Sequence, residues 1–174
     1  SDVSKFWTDA LDKTDLHRFT TQFMPFSFED KLKQYYFTSR VVCFGNALEE
    51  IFHCMLEKNG AIFLDRHYVA KHDCDQLFSY LNKTVLIEQK VRDDHDSSKK
   101  TGQIVNFQAK KNALSQDFDE FYCTSWFIDD GLKKNRSYYL SQLTDPYELC
   151  YGAEIEDFLE MILSINMVPS QCFY

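Results

Sequence analysis

Residues 73–96 read DCDQLFSYLNKTVLIEQKVRDDHD, and this stretch decides the fold. Two strand-like runs, Cys74 to Ser79 and Val85 to Val91, flank a polar break at Leu81-Asn82-Lys83. That is the pattern of a β-hairpin. Pairing Tyr80 with Lys83 sets an antiparallel register that puts Asp75 directly across from Glu88. Side chains alternate along a strand, so Leu86, Glu88, Lys90 and Arg92 share one face and Val85, Ile87, Gln89 and Val91 the other. The spacing predicts an apolar face anchored in the core and a charged face presented outward.

Two carboxylates and an amine side by side are a poor choice for a strand that only has to pack. Hard oxygen ligands of this kind suit Mg²⁺, which binds through one or two carboxylates plus substrate phosphate oxygens. A metal held there would polarise a phosphodiester and activate water, with Lys90 beside the nucleophile or the developing charge. An ordinary surface ion pair between Glu88 and Lys90 is the competing account, because E-x-K alone is a common pattern.

The longer run D-x-D-Q-L-F, a turn, an apolar strand ending in E-Q-K, then V-R-D-D-H-D-S-S-K-K-T-G-Q resembles the catalytic core of type II restriction endonucleases of the PD-(D/E)xK nuclease superfamily. On that resemblance Asp75 is the first acid, Glu88 the second and Lys90 the lysine, with Asp75, Glu88 and the Gln89 carbonyl holding the metal. Cys74-Asp75 stands where the superfamily pattern has Pro-Asp, and Asp73, on the same strand face, is a rival for the metal position.

Upstream, Val42, Ala47, Leu48, Ile51, Phe52, Met55 and Leu56 recur at helical spacing, and Asn59-Gly60 is a stop signal. Ala61 to Leu64 follows as a first strand. Many nucleases of the superfamily carry such a helix with a G-N-x-x-E pattern whose acid reaches the metal, which implies Glu49; the solvated side of an amphipathic helix is the alternative for Glu49 and Glu50.

Downstream, Asp96 or Ser97 is the expected N-cap of a helix running through Lys111. Residues 97–115 hold four lysines and no acid. Lys99, Gln103, Asn106 and Lys110 fall on one helical stripe, a surface suited to phosphates and base edges. Arg92, Lys99, Lys100, Gln103 and Lys110 are therefore the expected DNA contacts. Residues 120–129 read as a further strand. Asp130-Gly131 closes it, and Lys133, Lys134 and Arg136 lead into a helix with Tyr138, Tyr139, Leu140 and Leu143. Residues 147–167 have the period of an acidic amphipathic helix.

With 174 residues and 44% apolar content the chain can bury a sizeable core. We expect one domain over 1–174, with an N-terminal helical segment at 1–38, a catalytic core at 39–143 and the acidic C-terminal helix at 144–174. No long apolar run or signal-peptide pattern occurs, so a soluble, unexported protein without a membrane partner is expected, and the resemblance implies the cytoplasm of a prokaryotic cell. Six scattered cysteines without C-x-x-C point to buried free thiols rather than zinc or disulfides. The net charge of −8 argues against a generic nucleic-acid binder, yet residues 83–136 hold ten Lys/Arg against nine acids, while 137–174 hold six acids and no Lys/Arg. The acidic excess lies away from the expected DNA surface. An acidic pocket that needs its metal before accepting phosphate predicts weak DNA binding without Mg²⁺.

The expectation is an α/β restriction-endonuclease-like core, a central mixed β-sheet flanked by α-helices, that hydrolyses double-stranded DNA at a short recognition sequence with Mg²⁺, or Mn²⁺ as substitute. The resemblance further implies 5′-phosphate ends and a homodimer. A structure-selective repair or recombination nuclease shares the chemistry, and a non-catalytic DNA-binding module is the alternative from another class. A Cys/His enzyme built on Cys54 with His53 or Cys74 with His72 rests only on adjacency.

Overall fold

The structure, a computed structural model, describes residues 27–69 and 72–164. The chain divides into two compact units, 1–47 and 48–174. The boundary falls inside helix α1 (Phe28–Lys58), which begins earlier than its apolar spacing suggested. Of the first unit the described part is helical from Phe28 onward, and the expected helical segment before residue 27 lies outside the described residues. Val42 and Ile51, expected on the apolar face of α1, are exposed.

All five strands among the described residues lie in the second unit. In sequence they are β1 (Ile62–Phe63), β2 (Gln76–Tyr80), β3 (Lys83–Lys90), β4 (Phe121–Phe127) and β5 (Leu149–Tyr151), and they lie side by side in that same order. The first three pair antiparallel, while β4 runs parallel to β3 and β5 parallel to β4, so the sheet is mixed. Helix α2 (Ser97–Asp117) makes the crossover between the parallel pair β3 and β4, α3 (Arg136–Gln142) precedes β5, and α4 (Glu154–Leu163) follows it.

The hairpin has the register read from its sequence: Tyr80 pairs with Lys83 and Gln76 with Ile87. Leu81 and Asn82 both have positive φ, 46° and 66°, which is the twist a two-residue hairpin turn requires. Gly60, with φ 95°, ends α1 where Asn59-Gly60 was expected to stop it. Asp96 is the N-cap of α2, accepting a hydrogen bond from Lys99 N at 2.8 Å.

The sheet is buried on both faces. Val85, Ile87, Phe78, Trp126 and Cys150 pack under Leu56 of α1 and Ile155, Phe158, Leu159 and Ile162 of α4. Leu77, Leu86, Cys123, Phe127, Leu149 and Tyr151 pack under Ile104, Phe107 and Leu114 of α2 and Tyr139 and Leu143 near α3. This corrects the expectation that the charged face of β3 is presented outward, because α2 covers it and Glu88 is only 9% exposed. A strand between a parallel and an antiparallel neighbour is central, and a central strand needs cover on both sides.

The C-terminal reading is also corrected. Leu149 to Tyr151 is a buried edge strand, and the helix is confined to Glu154–Leu163; residue 167, where it was expected to end, lies outside the described residues. Gly152, with φ 49°, makes the turn between them and lies against the Asp130 side chain, where a Cβ would come within 2.6 Å. Cys74, Cys123 and Cys150 are buried free thiols, but Cys43 and Cys54 are exposed. No helix among the described residues is long and apolar enough to cross a membrane.

Candidate active site

The site grows from the open end of the hairpin. Asp75 immediately precedes β2 and faces the last residues of β3. One of its carboxylate oxygens, Oδ2, accepts from the Gln89 backbone N–H at 2.8 Å and from Lys90 Nζ at 2.9 Å. Lys90 Nζ also donates to the Gln89 carbonyl at 2.7 Å and stands 3.9 Å from Glu88 Oε2. A carboxylate, a backbone carbonyl and a second carboxylate thus surround one ammonium. The other Glu88 oxygen, Oε1, is 2.5 Å from Lys110 Nζ.

Burial and charge act against each other here. Burial, then the nearby Asp75, hold the Glu88 carboxyl above its usual range, outweighing the lowering effect of Lys110 and Lys90. Burial by itself would lower the Lys90 ammonium, but Asp75 and Glu88 outweigh it and raise its pKa, so Lys90 is charged at neutral pH. Glu49, in the second unit's portion of α1, is raised by burial and then by Asp75. Gln76 ties that helix to the strand: its Nε2 donates to the Glu49 carbonyl at 2.7 Å and to Gln89 Oε1 at 2.9 Å. Nothing in the sequence pattern marked Gln76, because its role depends on a helix 27 residues away.

The expected site residues divide into those that meet and those that do not. Asp75, Glu88, Gln89 and Lys90 converge, with Glu49 close enough to Asp75 for the two charges to repel. Asp73, the rival acid, is exposed and turns to His67 Nδ1 at 2.7 Å. Arg92 is exposed, 3.7 Å from Asp94 and 3.9 Å from Asp129. Lys99 is exposed, and Lys100 lies 4.5 Å over the Tyr138 ring. Gln103 is half-buried and accepts from the Tyr139 hydroxyl at 2.8 Å. Lys110 departs from its expected place on an exposed stripe. It is 5% exposed, because the buried stripe of α2 runs Ile104, Phe107, Lys110, Leu114. A cavity of about 170 Å³ opens beside Glu88 and Lys90, lined also by Gln103, Asn106, Ser125 and Tyr139.

The donor set suits a hard divalent cation. Asp75 Oδ2, the Gln89 carbonyl and Glu88 Oε2 are all oxygens, and they already enclose a cation in the form of the Lys90 ammonium. Among the described residues no three His, Cys, Asp or Glu side chains form a metal cluster, and the oxygens around the ammonium come from two side chains and one carbonyl. Such a sparse set leaves room for water and phosphate oxygens. The Cys74 thiol, pushed up to about 11 by burial, is protonated at neutral pH and is no nucleophile.

A mixed sheet between helices, with paired acids and a lysine at the end of its central hairpin, defines the restriction-endonuclease-like class of α/β folds. Residues 64–165, more than half of the chain, match the family described as type II restriction endonuclease, HinfI. The chain belongs to that family, and is accordingly a sequence-specific DNA endonuclease of a class that generally uses a divalent metal. No curated protein and no solved structure matches the chain.

Proposed function

We propose that this protein cuts both strands of duplex DNA at a short recognition sequence, with Mg²⁺ held by Asp75, Glu88 and the Gln89 carbonyl, leaving 5′-phosphate and 3′-hydroxyl ends. The observation that carries this reading is the convergence of Asp75 Oδ2 and the Gln89 carbonyl on one ammonium, at 2.9 and 2.7 Å, with Glu88 Oε2 at 3.9 Å. When bound, the divalent ion supplies Lewis acidity at the phosphate and an acidified water.

The protein's residues do the rest. Asp75 is pre-aimed by the Gln89 N–H, a fixed backbone donor. Lys90 releases its hold on the two oxygens and brings its positive charge beside the attacking water and the pentacoordinate phosphorus, where negative charge develops. Glu49, whose carboxyl is raised by burial and by the charge of Asp75, is the further acid we assign to the site. Arg92, Lys99, Lys100 and Gln103 are the residues we assign to the DNA backbone and base edges, with Lys133 and Lys134, both exposed, as a second phosphate-contacting group. The net charge of −8 makes DNA affinity depend on the metal. Cutting two strands with one such site per chain calls for a homodimer.

The test is incubation of long unmethylated duplex DNA with wild type and with Lys90→Ala, each in Mg²⁺, Mn²⁺ and EDTA. Discrete fragments from wild type in Mg²⁺ alone or with Mn²⁺ as substitute, lost in EDTA and in Lys90→Ala, are expected. Preference for branched or nicked DNA would favour a repair nuclease. Salt-sensitive binding that persists in EDTA without cleavage under any metal would favour a DNA-binding module.

A further inference from the structure

Lys110 is a buried charged residue beside Glu88 that the reaction scheme leaves without a task. It sits in the buried stripe of α2 between Phe107 and Leu114, where the helix otherwise offers apolar side chains to the sheet. Its ammonium reaches two acceptors, Glu88 Oε1 at 2.5 Å and the Asp73 backbone carbonyl. A lysine nine-tenths buried must be hydrogen-bonded to its counter-charge to stay there, and an apolar residue of similar length would fill the same space. Its two bonds are informative. One holds the second acid of the site, and the other holds the chain two residues before the first acid.

We propose that Lys110 is a positioning residue for the metal: with its ammonium anchored on the Asp73 carbonyl, it acts through Glu88, holding Oε1, leaving Oε2 as the free oxygen and so setting the separation of that oxygen from Asp75. The division of labour between the two Glu88 oxygens is visible in the distances, 2.5 Å from Oε1 to Lys110 and 3.9 Å from Oε2 to Lys90. Without Lys110, the Glu88 side chain is free to rotate toward Lys90, and both acids then compete for one ammonium. In this role Lys110 acts through Glu88, although its side chain also borders the cavity beside Glu88 and Lys90. The proposal rests on the assignment of Asp75 and Glu88 as metal ligands, and it replaces the surface role expected from the lysine-rich stripe of α2.

The experiment measures Mn²⁺ affinity from the paramagnetic signal of the free ion, on wild type, Glu88→Gln, Lys110→Met and the double variant. Lys110→Met is expected to weaken Mn²⁺ binding about tenfold to a hundredfold, the usual effect of removing a group that orients a ligand. Its affinity for duplex DNA in EDTA should stay at the wild-type value. Wild-type Mn²⁺ affinity in Lys110→Met would overturn the proposal while leaving the site assignment standing. Unchanged affinity in Glu88→Gln would instead sink the site assignment and the proposal with it. Should Lys110→Met not fold, the comparison of Glu88→Gln with Glu88→Gln/Lys110→Met decides. A residue acting only through Glu88 predicts equal Mn²⁺ affinities within about twofold, and a further tenfold change in the double variant would overturn it.

Discussion

Two carboxylates on one stretch of chain, Glu88 and Asp93, are both buried, yet they are satisfied in opposite ways. Asp93, with no exposed surface, accepts from the Asn135 backbone N–H at 2.7 Å, from Asn135 Nδ2 at 2.8 Å and from the Tyr151 hydroxyl at 2.9 Å. Every donor is neutral and fixed in place by the Asn135 turn and by β5, whose Tyr151 ring stacks on Phe127 at 4.8 Å. Glu88 is held by an ammonium on one oxygen, with a second ammonium 3.9 Å from the other. The difference separates architecture from chemistry. A carboxylate held on both oxygens by rigid neutral donors, with three of its about four acceptor sites taken, has little to offer a metal, whereas one held by cations keeps an oxygen that another cation can take.

That contrast can be broken at either end, and the largest effect is expected at the chemical one. Glu88→Gln and Asp75→Asn should each slow cleavage by about 10²–10⁴-fold, equivalent to several kcal/mol of lost charge stabilisation, with the circular dichroism of the fold retained. Single-turnover gels at saturating Mg²⁺ measure it. Equal activity in the variants would return Glu88 to the status of a structural acid like Asp93.

Asp93→Ala should do the reverse. Stranding the Asn135 and Tyr151 donors costs about 3–5 kcal/mol in a urea titration, while the folded fraction keeps its cleavage rate. A rate lost in proportion to the acid sites, with stability intact, would contradict the distinction. Tyr151→Phe sharpens it, because it removes one donor and no charge: the expected loss is about 1–3 kcal/mol, read from the same titration.

The smallest effect belongs to the turn that fixes where the acids stand. Leu81 occupies the left-handed region at φ 46° with its side chain in solvent, and Leu81→Asn should gain about 0.5–1 kcal/mol in thermal unfolding without altering cleavage. A changed cleavage rate there would mean that the register between Asp75 and Glu88 is softer than the hairpin implies.

The hairpin was legible because its determinants are local. Alternation and a two-residue turn fix the register, and the opposition of Asp75 and Glu88 follows by counting along two strands. The stop at Asn59-Gly60, a cap at Asp96 or Ser97 and a strand within residues 120–129 are local signals of the same kind, and the structure puts the cap at Asp96 and the strand at Phe121–Phe127. β5 was not legible: three residues are too few to show a period, and they form a strand only because β4 offers them an open edge. Lys110 misled for a related reason. Four lysines without an acid look like a surface, and the stripe through Ile104, Phe107 and Leu114 that includes position 110 becomes evident only when the helix lies on the sheet.

The sequence by itself therefore determined which acids and which lysine stand together on the hairpin, since strand geometry relates neighbours a few residues apart without help from the rest of the chain. Only the tertiary structure decided that α2 closes over them, that Glu49 approaches from α1 with its carbonyl bonded by Gln76 of β2, and that Lys110 takes one oxygen of Glu88 rather than facing solvent. Those contacts join residues 22 and 27 positions apart on different elements. Burial chooses among the possible faces of a helix only when there is a sheet to bury it against.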